Sequence, residues 1–165
     1  MSATDDLLAN KETYAASFDK GDLPMPPGKK TAIVACMDAR INVYGALGLQ
    51  EGDAHVIRNA GGVVTEDVLR SLAISQRLLG TEEIILIHHT DCGMLTFNDD
   101  AFKRSIEDET GIKPQWAAES FTDPDVDIRQ SINRIKANPF IPVKDSVRGF
   151  VFDVATGRLE EVDPG

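Results

Sequence analysis

Thr31-Ala32-Ile33-Val34-Ala35-Cys36-Met37-Asp38-Ala39-Arg40 reads as a buried strand that stops on a thiol, a carboxylate and a guanidinium at alternating positions. A second apolar run, Glu83-Ile84-Ile85-Leu86-Ile87-His88-His89-Thr90-Asp91-Cys92-Gly93, ends in an imidazole and a thiol spaced His-x-x-Cys. The sequence has two cysteines, and both fall at these strand ends. The uninterrupted Ile-Ile-Leu-Ile suits a central parallel strand covered on both faces. Set side by side in a parallel sheet, the two runs bring Cys36, His89 and Cys92 to one rim, with Asp38 and Arg40 beside them. That rim is where open α/β sheets form their sites.

Working outward, residues 54–58 read as a further strand, ended by Asn59-Ala60-Gly61-Gly62, whose glycines permit positive φ and close backbone approach. Thr65 with Glu66 and Asp67 opens a helix that Gly80 can end, its buried side drawn by Val68, Leu69, Leu72, Ala73 and Leu79, with Gln76 as an imperfection. Asn98 caps a helix running to Thr110 and stopped by Gly111, and Pro124 sits in the first turn of a helix reaching Ala137. Residues 148–154 read as a fourth strand, 155–157 as a turn and 158–162 as a short edge strand. Alternating strands and helices predict an α/β fold: a three-layer α/β/α arrangement on a central, mainly parallel sheet of about four strands in the order 2-1-3-4, plus the C-terminal edge strand.

Before the first strand, residues 4–18 read as one amphipathic helix capped by Thr4. Residues 21–28, with three prolines, read as an extended connector. This N-terminal helical arm needs a surface to cover, on its own domain or on a partner subunit. The expected organisation is a single domain over residues 1–165, with the arm and connector in 1–28 and the α/β core in 29–165.

Composition narrows the function classes. With 42% hydrophobic and 27% charged residues the chain is ordinary for a globular protein, which excludes disorder and fibrous architectures. A net charge of −10 repels a phosphate backbone, so nucleic acid is not an expected partner. The apolar runs fall far short of the roughly 18 residues of a membrane span, so no membrane is expected either. Acids in Met1-Ser2-Ala3-Thr4-Asp5-Asp6 stand where a secretory signal needs positive charge, and the expected location is cytoplasmic. In that compartment two cysteines are free thiols or metal ligands rather than a disulfide. No glycine fingerprint follows the first strand, which excludes the P-loop and dinucleotide readings.

Two thiolates and an imidazole are zinc ligands, and three protein ligands leave a fourth position for water or substrate. Thiolates donate more charge to zinc than imidazoles do, so such a site acidifies bound water less than a three-histidine site. Asp38 can accept a hydrogen bond from a zinc-bound hydroxide and orient it, or coordinate the metal and block it. Arg40, paired to Asp38, can decide between these by holding the carboxylate ionised and turned away. The set suits attack on a small electrophilic carbon. Residue by residue the alternatives are a buried free cysteine at either thiol, a redox pair of Cys36 with Cys92, and a non-catalytic zinc-stabilised oligomeric domain. The Asp38/Arg40 pair argues against the last. His88 points to the strand face opposite His89 and reads as a core or supporting histidine. His55 reads as structural, Asp91 as support for a backbone N–H or an arginine, and Trp116 as a packing residue.

Cys36-x-Asp38-x-Arg40, then Arg58-Asn59-Ala60-Gly61, then His89-x-x-Cys92-Gly93, in this order and with these separations, resembles the β-class carbonic anhydrase family. The resemblance implies that Cys36, His89 and Cys92 bind one Zn2+ per chain. It implies that Asp38 and Arg40 form the catalytic dyad, with Asn59, Gly61 and Gly62 as active-site backbone or support. The implied reaction is reversible hydration of carbon dioxide to bicarbonate and a proton by zinc-bound hydroxide, without a redox cofactor. Small relatives that hydrolyse carbonyl sulfide or carbon disulfide share the ligands, and the motif does not separate these activities. The resemblance also implies a homodimer or tetramer in which the N-terminal helix packs on a neighbour.

Overall fold

The computed structural model describes residues 2–165. Strand β1 (Thr31–Cys36) lies between β2 (Ala54–Asn59) and β3 (Glu83–His89), β4 (Ser146–Phe152) follows β3, and β5 (Leu159–Glu161) closes the edge, in the order β2-β1-β3-β4-β5. The first four strands run parallel and β5 is antiparallel to β4. Cys36 pairs in register with Asn59, Ala35 with Ile87 and His89 with Phe152, so the chemistry-bearing ends of three strands share one edge.

Alternation along the strands sorts the core into two clusters. Ala32, Val34, Ile84 and Leu86 pack against Leu72 of α4 (Glu66–Leu79) and Ile128, Ile132 and Ile135 of α6 (Pro124–Ala137). Ile33, Ala35 and Ile87 face the other way, with Ile41, Met94 and Val43 of α3 (Val43–Leu47), and Cys36 and Cys92 belong to this second cluster.

The helix punctuation acts as read. Thr65 accepts the Val68 N–H, Asn98 accepts the Ala101 N–H at the start of α5 (Asp99–Thr110), and Gly80 and Gly111 end their helices in the left-handed conformation. Gln76 is no flaw in α4: its amide accepts from the Val143 N–H at 3.0 Å and donates to the Val143 carbonyl at 2.8 Å. A buried amide is kept where both its groups meet backbone partners.

Two expectations need correction. The arm is two short helices, α1 (Ala3–Leu8) and α2 (Lys11–Ala16), and Ser2 rather than Thr4 caps the first, in a capping box with Asp5. Flattened backbone at Ala9 (ψ −25°) and Asn10 (ψ −13°) breaks the run. The fourth strand begins at Ser146 and stops at Phe152, two residues earlier than expected, because its seven residues pair one for one with the seven of β3. The next residue, Asp153, donates its N–H to Arg158 in the turn to β5.

Candidate metal centre

Cys36 ends β1, His89 ends β3, and the turn Thr90-Asp91 folds Cys92 back beside the histidine, with Asp91 in the left-handed region at φ 53°. The two Sγ atoms and a His89 ring nitrogen lie within 4.8 Å of one another, and all three residues are buried. Tetrahedral bonds of about 2.0–2.3 Å to zinc set ligand spacings of roughly 3.3–3.8 Å, which lie inside this limit. His89 Nδ1–H donates to the Thr90 carbonyl at 2.7 Å, which fixes the tautomer and leaves the Nε2 lone pair free. That Nε2 is buried and, among the described residues, has no hydrogen-bond partner. Cation binding supplies the partner that such an orphaned acceptor lacks.

The charge state of the sulfurs points the same way. Burial raises the Cys36 thiol, but His89 and the backbone N–H groups of Asp38 and Gly61 outweigh it, and the net shift is downward. Burial pushes the Cys92 thiol up to about 11, with the Met94 N–H offsetting part of this and the neighbouring Cys36 adding to it. Burial works against protonated His89, yet Cys36, the Thr90 carbonyl and Asp38 more than compensate and raise it. Burial and the neighbouring sulfur thus keep Cys92 protonated unless a cation sits between the two, and two sulfurs with an imidazole are a donor set that fits zinc.

Asp38 and Arg40 form a tight fork. Arg40 Nε donates to Asp38 Oδ1 at 3.0 Å and Nη2 to Oδ2 at 2.8 Å, while the Arg40 backbone N–H reaches Oδ1 at 2.9 Å. The Arg40 side chain, then its backbone N–H, hold the Asp38 carboxyl well below the usual carboxylate range. Asp38 Oδ2 lies 3.7 Å from His89 Nε2, so the carboxylate stands beside the three donors without joining them. Asp91 holds the far side of the guanidinium, accepting from Nη1 on Oδ2 and from Nη2 on its carbonyl, both at 2.9 Å. This is the supporting place expected for it.

The glycine turn sits directly behind the centre. Gly62, at φ +65°, has no room for a side chain: a Cβ would stand 2.7 Å from the Cys36 nitrogen and 2.9 Å from the Ile87 oxygen. Gly61 also has positive φ, at +83°. Asn59 braces the turn by donating from Nδ2 to the Val63 carbonyl at 2.9 Å, and its own carbonyl accepts the Met37 N–H at 2.8 Å.

Arg58 is the residue that carried a motif but no role in the sequence. Its guanidinium donates to the carbonyls of Cys36 (2.9 Å), Ile41 (3.1 Å) and Asp38 (2.8 Å), clamping the whole loop that carries the thiol and the carboxylate. A charged residue at the end of an otherwise apolar strand was the available signal.

The remaining candidates are structural. His55 Nδ1 meets Ser75 Oγ at 2.7 Å, His88 lies on the α6 side with Nε2 2.6 Å from Asp127, and Trp116 leans on Phe102. In front of the centre, Met37, Met94, Phe97 and Phe102 line a cavity of 490 Å³ that reaches Cys36, Asp38 and Cys92.

Residues 31–122 match the sequence profile of the carbonic anhydrase family. The chain is 68% identical to beta-carbonic anhydrase 1 of Mycobacterium tuberculosis over 99% of its own length and 100% of that protein. It is 32% identical to a carbon disulfide hydrolase of an Acidianus species over 95% of its length and 87% of that enzyme. The crystal structure of a carbonic anhydrase from Streptococcus mutans has the same fold, with a TM-score of 0.90 and 42% identity over 99% of each chain.

Proposed function

Because the chain belongs to the β-class carbonic anhydrase family, we propose that it catalyses the reversible hydration of carbon dioxide to bicarbonate and a proton, with Cys36, His89 and Cys92 holding one zinc ion per chain. Zinc held there supplies a Lewis acid that acidifies water, so that a nucleophile exists near neutral pH.

The observation that carries the reading is the setting of Asp38. Arg40 occupies the carboxylate from one side, and Oδ2 stands 3.7 Å from the free nitrogen of His89. An ionised carboxylate there can only accept, so Asp38 would accept a hydrogen bond from the attacking oxygen and so orient a lone pair toward the substrate carbon. Arg40, anchored by Asp91, keeps Asp38 charged and restrains it from swinging onto the metal. Met37, Met94, Phe97 and Phe102 give the approach an apolar wall suited to a small uncharged substrate. Asn59, Gly61 and Gly62 support the centre from behind.

The deciding experiment is stopped-flow carbon dioxide hydration with a pH indicator on protein of known zinc content. Fast hydration abolished by chelation is the expected result. The relatives that hydrolyse carbon disulfide give a second reading, so carbonyl sulfide and carbon disulfide hydrolysis are measured on the same preparation. Slow hydration with rapid sulfide release transfers the activity to those substrates, and no activity at full zinc leaves a non-catalytic zinc domain.

Residues 1–165 are read as one functional domain, in keeping with relatives aligned over nearly its whole length. The assembly is a homodimer or tetramer in which the arm covers a neighbour; every described side chain of α1 and α2 is exposed. Both cysteines are free, which suits the reducing cytoplasm. Among the described residues no helix is long and apolar enough to cross a membrane.

A further inference from the structure

Asp38 and Arg40 grip each other within one short loop, so their bonds set the shape of that loop and not its place. The Arg40 side chain and its backbone N–H close onto the same carboxylate from two residues away. A pair joined in this way moves as one body. Asp38 Oδ2 stands only 3.7 Å from His89 Nε2, so little movement of the loop is needed to bring the carboxylate onto the donors. A misplacement of about 1 Å is enough to cost a reaction about a hundredfold.

The loop is held in place from outside, on two sides. On the His89 side Asp91 pairs with Arg40, through a carboxylate that is 80% exposed. An ion pair that open to water holds weakly. The other hold comes from β2. Asn59 accepts the Met37 N–H at 2.8 Å, and Arg58, which pairs in register with Ala35, sends its side chain past the end of β1 to the loop.

All three nitrogens of that guanidinium are spent there. Nε donates to the Cys36 carbonyl at 2.9 Å, Nη2 to the Asp38 carbonyl at 2.8 Å and Nη1 to the Ile41 carbonyl at 3.1 Å. The Asp38 carbonyl also accepts the Ile41 N–H at 3.1 Å, so the fork closes over a turn whose far end, Ile41, is buried in the core cluster on this face. The acceptors are uncharged, so the contact is one of geometry. Arginine suits it because its planar fork meets several acceptors at once, whereas lysine offers a single nitrogen.

We propose that Arg58 is the positioning residue that keeps Asp38 off the metal: its three-carbonyl clamp ties the loop to β2 and so fixes the distance between the Asp38 carboxylate and the centre formed by Cys36, His89 and Cys92. Resting on the zinc reading of that centre, the assignment divides the labour between two arginines. Arg40 orients the carboxylate within the loop, and Arg58 decides where the loop stands. Without the clamp, Asp38 closes the fourth position that three protein ligands leave open.

The test compares wild type with Arg58→Gln, Arg58→Lys, Asp38→Ala and the double variant Arg58→Gln/Asp38→Ala. Metal content is measured on each, the metal-free proteins are melted as a folding control, and azide is titrated into the Co(II)-substituted proteins by visible absorption, as a probe of the open position. Arg58→Gln is expected to keep one metal per chain and to bind azide about tenfold more weakly or worse, the factor by which the open fraction falls. Arg58→Lys, which keeps the charge and loses the fork, falls between it and wild type. Combined with Asp38→Ala, the same Arg58 change leaves azide binding where Asp38→Ala alone puts it, because the carboxylate that closed the site is gone. Should Arg58→Gln fail to fold, Arg58→Lys with and without Asp38→Ala decides. Wild-type azide binding in the folded Arg58 variants overturns the proposal, as does a loss that persists in the double variant. Arg58 variants that melt normally but hold no cobalt place the clamp's effect on Cys36 and overturn it too. A wild-type protein that binds cobalt but does not hydrate carbon dioxide sinks the proposed reaction and leaves the azide comparison to decide on Arg58. A wild-type protein that takes up neither zinc nor cobalt overturns the zinc reading, and the proposal with it.

Discussion

Asp38 receives three N–H groups from a single residue, Arg40, and that grip decides what a substitution there does. In Asp38→Asn the volume stays but one oxygen becomes an NH2 group, which repels the guanidinium and donates where an acceptor is needed. Zinc content should be unchanged by metal analysis, while kcat/KM for carbon dioxide hydration falls by about a hundredfold or more. Unchanged activity would remove the carboxylate from the mechanism. Gly62 is constrained by space: Gly62→Ala places a Cβ against the Cys36 nitrogen and the Ile87 oxygen, neither of which can rotate aside. The left-handed conformation alone costs about 1–2 kcal/mol, the backbone clash adds to it, and thermal denaturation should show a lowered Tm. Both residues were legible in the sequence because each stands at the end of an apolar strand. Arg58 was quoted but unexplained, since its three acceptors are carbonyls of a loop that sequence does not fold. Phe121 left no sign at all: it packs on Gly61 and hydrogen-bonds to Met94 from 32 residues beyond His89, out of a segment without periodicity.

Among the elements, α5 is tied to the rest of the molecule by its first residue. Asp99 Oδ2 accepts from the Glu119 N–H at 2.9 Å, and Oδ1 accepts from the Ser120 N–H at 2.8 Å and the Ser120 hydroxyl at 2.6 Å. Burial raises the Asp99 carboxyl, the bonds from Ser120 and Glu119 outweigh it, and the net shift is downward. A carboxyl lowered in the folded chain contributes stability that is complete above its unfolded pKa of about 3.9 and is lost as pH falls through the folded value. Asp99→Asn should therefore destabilise by about 1–3 kcal/mol near neutral pH. In urea titrations the gap from wild type should hold down to about pH 5 and shrink below about pH 4. A gap that widens in acid would contradict the assignment. The cap at Asn98, the proline at the first turn of α6 and the stops at Gly80 and Gly111 made α4, α5 and α6 readable, since each acts on atoms a few residues away. The ends of β4 and the role of Gln76 were not readable, because a strand's ends are set by its partner and a buried amide by a loop 67 residues away.

For the whole molecule, the unresolved energetic question is the arm. Leu7, Leu8 and Phe18 are 78%, 53% and 51% exposed, and Tyr14 lies beside Phe18 with ring centroids 5.8 Å apart. Leu7, Leu8 and Tyr14 on helices of six residues each, with Phe18 just beyond the second, are not a stable free surface, since isolated helices of that length do not persist in water. The sequence showed the apolar stripe and its need for cover, but no pattern within one chain names the surface that meets it. A partner subunit satisfies both requirements, and sedimentation velocity on the full chain should give a dimer or larger. Replacing Leu7, Leu8 and Phe18 with aspartate tests the arm without touching the core, because each side chain is more than half exposed in the single chain. Burying such a side chain gains about 1.5–3 kcal/mol, so three in each of two arms represent on the order of 10 kcal/mol, comparable with the whole free energy of a micromolar to nanomolar dimer. The triple variant should sediment largely as a monomer while its zinc content stays at one per chain. An unchanged mass would show that the arm lies outside the subunit interface and would leave its apolar face to be matched elsewhere.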